Sequence, residues 1–222
     1  MRVDSCVILC GGKSSRLNGA NGISKIFLPF GNKSLIAHNF AKMQGIFKRV
    51  FIACKDNQRD LIERSLQNLG KSAQFFTNPL TPSARELESS ADTYDIFIIE
   101  SAPIFAPIVG IISAFTQLKD DKIFFISCDC PFVVPNTIES LCKNSTNYDI
   151  VFAKDSRKIH PLIAVWSKNT LPLLQDSFKN GDFRLQNIID KVRTKSLHFS
   201  DSNEFLNINT MSDYKSALAT LG

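Results

Sequence analysis

The sequence CVILCGGKSSR, residues 6–16, carries the strongest indication of the fold. It begins with a mostly apolar run, which predicts a buried strand. Gly11 and Gly12 follow at once, and paired glycines predict a loop whose bare backbone a ligand can approach closely. Lys13 and Arg16 bring two positive charges to that loop. Bare backbone N–H groups beside cations are typical of a phosphate-binding site.

This stretch matches neither of the two best-known phosphate loops. In a Walker A loop, G-x-x-x-x-G-K-[ST], the first glycine would fall on Val7 when Gly12 is aligned with the second. The G-x-G-x-x-G pattern of dinucleotide-binding folds is absent here as well, since Gly11 is followed by Gly12 and Lys13. We therefore interpret the stretch as a glycine-rich phosphate loop of a third kind.

Short apolar runs alternate with helix-like segments along the rest of the chain. This alternation predicts an α/β fold, a single-domain three-layer sandwich with a mostly parallel sheet. Ligands of such sheets bind at the carboxyl ends of the strands, where the strand order reverses. Strands are predicted over 5–10, 50–54, 73–77, 95–99, 123–128, 148–153 and 162–166, and helices over 35–44, 59–69, 109–118, 135–142, 170–178, 185–192 and 212–221.

Length and composition favour one globular domain over residues 1–222. A chain of this length buries a sizeable core, and 44% hydrophobic with 21% charged residues is ordinary for a globular protein. Residues 78–94 differ from the rest, because they combine prolines, serines and mixed charges with little apolar periodicity. We predict that they form a surface insertion.

Charge and cysteine usage exclude several classes of protein. The net charge is +5, but Lys and Arg are scattered rather than clustered, which argues against a nucleic-acid binder and suits an anionic small substrate. The 6 cysteines include no C-x-x-C pair, so we expect reduced, mostly buried thiols. Residues 1–5 show no apolar signal, and the apolar stretch 104–115 is too short to span a membrane. We expect a cytoplasmic monomer that binds no membrane.

Asp129 is the strongest single candidate for metal binding. The apolar run 123–128 ends immediately before it, and Pro131 prevents the strand from continuing. Mg²⁺ takes one or two carboxylates and leaves its other positions to water and phosphates. An aspartate after a strand also stabilises turns, so the nearby glycine loop is what favours the metal-binding interpretation.

Several stretches of the chain, in order, resemble the signature of one family. Residues 10–17, CGGKSSRL, followed by Lys25 and by 28–35, LPFGNKSL, resemble L-A-G-G-x-S-x-R-M-G…K…L…G-K-x-L. The later stretches that match are APIVG at 106–110, CDCP at 128–131, His160-Pro161, and LNINT at 206–210. The family is that of the glycosyltransferase-A-like nucleotidyltransferases, and within them the molybdenum cofactor guanylyltransferases. The resemblance implies a Rossmann-like fold of the nucleotide-diphospho-sugar transferase type.

The resemblance also implies a reaction, the transfer of GMP from GTP to the terminal phosphate of the molybdenum-molybdopterin cofactor, with Mg²⁺ as cofactor. Arg16 would then hold the β- and γ-phosphates, Lys25 would lie near the α-phosphate, and Asp129 would hold Mg²⁺. Lys33 is the alternative to Lys25. The implied nucleotide-binding residues are Leu9, Cys10, Gly11, Gly12, Lys25, Glu100, Pro107, Gly110 and Asp129. The implied substrate-binding residues are His160, Arg184, Asn207 and Asn209, the last also beside the metal.

Some of these residues have a structural alternative. A histidine beside a strand, like His160, is more often a structural hydrogen-bonding group, and Pro107 suits the start of a helix. Arg184 either neutralises a substrate phosphate or is an exposed residue at a helix start. Asn207 and Asn209 would point the same way in an extended segment, as in a polar strand edge.

Two other functions stay open at this point. One is a cytidylyl- or sugar-phosphate nucleotidyltransferase of the same fold, against which the Gly11-Gly12 pair counts because the cytidylyl relatives resemble L-A-A-G there. The other is a catalytically silent nucleotide-binding domain, suggested by departures from the family pattern at Cys10, Ser24, Glu100 and Ala106. The resemblance further implies transient contacts with cofactor-insertion and molybdoenzyme-maturation proteins.

Overall fold

The computed structural model describes residues 3–10, 24–67, 97–99 and 106–220. The strands in chain order are β1 (Ser5–Leu9), β2 (Pro29–Phe30), β3 (Lys33–Ser34), β4 (Arg49–Cys54), β5 (Phe97–Ile99), β6 (Lys122–Ser127), β7 (Ile150–Lys154), β8 (Ile159–Ser167) and β9 (Thr194–His198). The helices are α1 (Leu35–Gln44), α2 (Arg59–Gln67), α3 (Pro107–Gln117), α4 (Pro135–Lys143), α5 (Leu171–Lys179), α6 (Leu185–Ile189) and α7 (Met211–Ala219).

Seven of the strands form one sheet in the order β5-β4-β1-β6-β8-β7-β9, while β2 and β3 form a separate hairpin. β1 pairs in parallel with both β4 and β6, so that Val7 lies between Phe51 and Phe125. Of the strands described, β8 alone runs antiparallel to its neighbours in the large sheet. The chain passes from β1 to β4 on one side and later to β6 on the other. The strand order therefore reverses at β1, and the crevice at its carboxyl end is where such sheets bind ligands.

Helices cover both faces of the sheet and give the three-layer α/β sandwich that the sequence predicts. α1, α2 and α4 pack on one face, and α3, α5 and α6 pack on the other. Alternate residues of β1 serve the two layers: Cys6 and Ile8 lie in the first core, and Val7 and Leu9 in the second. β1 is buried along its whole length, as expected for a central parallel strand.

A third, smaller apolar cluster packs the C-terminal helix against the β2–β3 hairpin. It contains Phe30, Leu35, Ile208 and Ala217. The hairpin turns at Gly31, whose φ of 64° lies in the left-handed region that glycine adopts without strain. The hydroxyl of Tyr214 in α7 donates to the carbonyl of Pro29 in the hairpin. This cluster places the segment before α7 beside the residues that follow Ser24.

The structure corrects the predicted strands at three points. His160 and Pro161 lie inside β8 rather than before it, because the β7–β8 ladder resumes after a register shift and pairs His160 with Ala153. β9 was not predicted, since Thr194–His198 is a half-exposed edge strand with a polar sequence. The β2–β3 hairpin was missed as well. The predicted strand 73–77 and the insertion 78–94 lie outside the described residues, so the domain assignment stays a prediction.

The cysteines are free, as predicted, and five of the 6 are buried. Across the described ranges, no helix is long and apolar enough to cross a membrane.

Candidate functional site

The carboxyl ends of β1 and β6 meet where the sequence predicts the site. The Cys128 N–H donates to the carbonyl of Leu9 at 3.1 Å, and the Cys10 N–H donates to the carbonyl of Ala53 at 2.8 Å. Leu9 and Cys10 are buried, so the strand stays paired up to the residue that precedes the glycine pair. The predicted site residues that lie outside the described part of the chain are Gly11, Gly12, Arg16 and Glu100.

Lys25 is the centre of the described site. It begins a short 3-10 helical turn, and its Nζ lies 2.6 Å from Asp129 Oδ2, 3.2 Å from Asn209 Oδ1 and 3.3 Å from the carbonyl oxygen of Ile208. The side chains of Lys25 and Asp129 are only 13% and 11% exposed. The fold therefore brings together three residues that the sequence analysis selected, Lys25, Asp129 and Asn209, around one cation.

The segment that carries Asn207 and Asn209 lies against the loop that follows β6. The Ile208 N–H donates to the carbonyl of Asp129 at 2.9 Å, and the Cys130 thiol donates to Asn207 Oδ1 at 3.2 Å. Burial, and then the Asp129 carboxylate, raise the pKa of the Cys130 thiol well above its usual value, so it stays a protonated donor. The segment is not a strand, and the two amides have different partners.

Two polar side chains of α1 support the same loop and were not predicted. Asn39 Nδ2 donates to the carbonyl of Cys128 at 2.7 Å, and Lys42 Nζ donates to the carbonyls of Pro131 and, at 3.3 Å, Val133. Burial lowers the pKa of Lys42 to about 8.

The sequence does hold a signal for Asn39. It shares the buried stripe of α1 with Ile36, Phe40 and Met43, at helical spacing. A buried polar side chain needs a hydrogen-bond partner. Because irregular backbone has carbonyl groups that are not paired within a strand or helix, such a loop is the partner to expect.

His160 is buried in β8, where it supports the structure. Its ring stacks on Phe205, with centroids 4.5 Å apart, and its Nε2 lies 3.5 Å from Asp155 Oδ2. Burial lowers the pKa of His160, and Asp155 opposes that change only in part. The N–H groups of Arg157 and Lys158 donate to Asp155 and close the β7–β8 turn. A contact between His160 and substrate stays a prediction.

The other predicted residues belong to helix starts. Pro107 is the first residue of α3, which begins two residues earlier than predicted, and Gly110 is buried inside that helix. Arg184 precedes α6, is 79% exposed, and pairs with Asp182 at 3.2 Å. These described contacts fit a helix-start role for Pro107 and an exposed position at a helix start for Arg184. They do not connect Arg184 to Asp129.

Oxygen atoms are the groups of this site that suit a metal ion. Within residues 3–10, 24–67, 97–99 and 106–220, no three His, Cys, Asp or Glu side chains come together to hold one. Asp129 supplies the carboxylate, and the oxygens of Ile208 and Asn209 lie beside the same Lys25 ammonium group. Such a set fits a hard cation that completes its coordination with water and phosphate.

Comparison with known proteins identifies the family of this chain. The model of the MobA-like NTP transferase domain matches residues 6–196. A molybdenum cofactor guanylyltransferase of Helicobacter pylori (strain P12) is 33% identical over 97% of this chain and 92% of its own. A protein of the same name from Campylobacter jejuni (strain RM1221) is 25% identical over 95% of this chain and 93% of its own.

Solved structures share the fold at low sequence identity. The molybdopterin-guanine dinucleotide biosynthesis protein A of Archaeoglobus fulgidus superposes with a TM-score of 0.72 at 19% identity, over 98% of both chains. The inositol-1-phosphate CTP transferase of T. maritima gives a TM-score of 0.71 at 15% identity, over 100% of this chain and 97% of its own. The family match, which covers most of the chain, is the more specific finding. The chain belongs to the MobA-like NTP transferase family.

Proposed function

We propose that this protein transfers GMP from GTP to the terminal phosphate of the molybdenum-molybdopterin cofactor and releases pyrophosphate. Its family membership and the names of its relatives support this reaction. The observation that carries the proposal is the convergence of Lys25, Asp129 and Asn209 at the ligand-binding edge of the sheet. A nucleotidyl transfer needs such a cation and carboxylate beside the triphosphate.

This reaction does not require a protein side chain to act as a strong general base. A terminal phosphate oxygen of the cofactor attacks the α-phosphorus of GTP, and a new P–O bond forms. The bond to the pyrophosphate oxygen breaks, and its electron pair leaves with pyrophosphate. Because the nucleophile is already anionic, the enzyme accelerates the step by positioning the reactants and neutralising charge. Lys25 suits the second task, since its ammonium group donates hydrogen bonds to phosphate oxygens as readily as to a carboxylate.

Mg²⁺ is the metal we propose for this site. Asp129 would hold it, with the amide oxygen of Asn209 beside it, and the remaining positions would go to water and phosphate. When bound, Mg²⁺ neutralises the charge of the triphosphate oxygens. The three oxygens around Lys25 Nζ support this assignment, because they already stabilise a positive charge at that position.

GTP is the nucleotide we propose, because the Gly11-Gly12 pair resembles the guanylyltransferase signature rather than the L-A-A-G of the cytidylyl relatives. Arg16, Glu100 and the start of α3 complete the nucleotide site in this proposal, and Asn207 and His160 lie toward the pterin. We further propose that the protein works as a cytoplasmic monomer that meets cofactor-insertion and maturation proteins only transiently.

The first test is calorimetric titration with GTP, CTP and ATP, each with and without Mg²⁺. We expect GTP to bind most tightly and Mg²⁺ to strengthen that binding. Pyrophosphate release on addition of the molybdenum-molybdopterin cofactor then measures the reaction itself. A preference for CTP would support a cytidylyltransferase instead, and nucleotide binding without any turnover would support a silent domain.

A further inference from the structure

The loop between β6 and α4, residues 128–134, has its backbone held by side chains from distant elements. It is irregular, so it lacks the hydrogen bonds that strands and helices make internally. Glu204 Oε2 accepts the N–H of Val134 at 3.3 Å, and the Ile208 N–H donates to the carbonyl of Asp129 at 2.9 Å. Two further side chains that donate to the carbonyls of this loop come from α1. This loop contains Asp129, so whatever holds the loop also sets the position of the carboxylate.

Asn39 and Lys42 reach the loop on either side of Asp129. Asn39 Nδ2 holds the carbonyl of Cys128, the residue before it, at 2.7 Å. Lys42 Nζ holds the carbonyls of Pro131 and Val133, which follow it. The two side chains are three positions apart in α1 and therefore lie on the same side of the helix. A rigid helix thus fixes both ends of the segment that presents the carboxylate.

Burying Lys42 and Asn39 costs free energy of hydration, which indicates that the position of the loop around Asp129 is important. Lys42 is partly buried, and its described partners are carbonyl oxygens rather than a carboxylate, so it loses hydration without gaining an ion pair. Asn39 is 1% exposed, and its Oδ1 has no hydrogen-bond partner among the residues that the structure describes. An apolar side chain at either position would avoid these penalties, but it would leave the loop carbonyls without these donors, at a cost in stability. What the two polar groups provide is a fixed backbone around Asp129.

We propose that Asn39 and Lys42 are positioning residues for Asp129, which hold its carboxylate in reach of Lys25 and of the nucleotide-bound metal. This inference rests on the proposed function for its catalytic consequence. Neither residue touches the reacting atoms in this proposal. Their effect is expected on the rate of GMP transfer more than on the binding of GTP, because misplacing a group that acts in the transition state lowers kcat.

Lys122 offers a matched control in the same structure. It lies at the other end of β6, and its Nζ donates to the carbonyls of Ser145, Thr146 and Tyr148. Burial lowers its pKa as well. It therefore makes the same kind of contact as Lys42, at the edge of the sheet opposite to Asp129. Lys122→Met measures what the loss of such a lysine does to stability alone.

The experiment compares Lys42→Met, Lys42→Arg and Lys122→Met with the wild-type protein. We expect both methionine variants to lower the melting temperature by similar amounts. Lys42→Met is expected to lower kcat by tenfold or more, up to about 10²-fold, with the KM for GTP within about twofold of wild type. Lys42→Arg should recover much of the loss, because arginine keeps the charge and the donors. Lys122→Met should leave kcat unchanged.

Equal effects of Lys42→Met and Lys122→Met on kcat would overturn the proposal, since both would then act through stability only. Asn39→Leu is the second variant, and it too should lower kcat with little effect on KM. If it left kcat unchanged, the role of Asn39 would be refuted.

Hydrogen exchange separates this inference from the proposed function. Faster exchange of the 128–134 amides in Lys42→Met, but not in Lys122→Met, supports the positioning role even if the wild-type protein transfers no GMP. Unchanged exchange in that loop overturns it. Absence of turnover in the wild-type protein, by contrast, refutes the proposed function.

Discussion

Lys25 Nζ lies 2.6 Å from Asp129 Oδ2, although 104 residues separate the two along the chain. The pair lies at the edge where the ends of β1 and β6 meet, and Asn209 adds a third polar group. The ammonium group occupies the oxygen-lined position that a divalent cation would require. Under the proposed function, Lys25 and a metal ion would therefore compete for Asp129 when no nucleotide is bound. The oxygens of a bound triphosphate would offer Lys25 another partner and relieve this competition.

The first prediction follows from this competition. Lys25→Met should increase the affinity for Mn²⁺ in the absence of nucleotide by at least about tenfold, because a positive charge next to the metal is removed. The same change should lower the rate of GMP transfer. Titration with Mn²⁺ monitored by electron paramagnetic resonance measures the affinity.

Lys143→Met is the control for that titration, since Lys143 forms an exposed ion pair with Glu139 at 3.2 Å. It should leave the Mn²⁺ affinity unchanged. An affinity of Lys25→Met equal to that of the wild-type protein would show that Lys25 does not compete with the metal.

The second prediction concerns the carboxylate itself. Asp129→Asn keeps the size of the side chain but removes the negative charge, so kcat for GMP transfer should fall by about 10²- to 10³-fold. The affinity for GTP should change far less, because the substitution leaves the other residues of the proposed nucleotide site in place. Asp176→Asn, on the exposed side of α5, is the matched control. Near-normal turnover of Asp129→Asn would exclude Asp129 as the proposed metal ligand.

Much of the described fold can be predicted from the sequence, because the spacing of apolar residues that marks a strand or a helix lies within that strand or helix. The apolar run of β1 and the apolar stripe of α1 each follow from neighbouring residues, and the structure confirms both within one residue. β9 was not predicted because it is a half-exposed edge strand without an apolar pattern of its own. It forms a strand because it pairs with β7, its one neighbour in the sheet. His160 was placed outside β8 for a related reason, as the register shift depends on the partner strand.

Part of the candidate site could be predicted, because some of its residues are recognisable from their type and their position in the sequence. Asp129 follows an apolar strand, and Lys25 matches the lysine of the family signature, so both could be selected before their contact was known. The supporting residues could not, because the role of Lys42 is defined by carbonyls 89 and 91 positions away. A lysine in an amphipathic helix is ordinarily a solvated surface residue, and no local pattern distinguishes the exception.

The third prediction is a loss of stability in mild acid. The pKa of His160 lies below its ordinary value of 6.5, chiefly because the ring is buried. The unfolded chain therefore binds more protons than the folded protein below about pH 6.5, and the free energy of unfolding should decrease as the pH falls through that range. His38, whose pKa is lowered by burial and by Lys42, contributes in the same direction. Urea unfolding at pH 8, 6.5 and 5.5 measures the slope.

His160→Phe tests the assignment, because it keeps an aromatic ring against Phe205 and removes the titrating group. The pH slope should become shallower but not vanish, since His38 still titrates. The pKa of Asp155 is also below its ordinary value: burial raises it, but hydrogen bonds from Lys158 and Arg157 outweigh that effect. Its stabilising contribution is present above about pH 4 and is lost only at lower pH. An unaltered slope in His160→Phe would show that His160 is not the group responsible.

The fourth prediction is that Phe205 both stabilises the fold and holds Asn207 and Asn209 in position. Phe205 is 1% exposed and stacks on His160, and it lies two residues before Asn207. Phe205→Ala should lower the free energy of unfolding by about 3–5 kcal/mol, and Phe205→Leu by clearly less, because leucine fills more of the cavity. If the segment 206–209 depends on this anchor, Phe205→Leu should also raise the KM for the pterin substrate while leaving the KM for GTP near its wild-type value. A variant that is destabilised but has both KM values unchanged would show that contacts with Asp129 and Cys130 suffice to hold the asparagines in place.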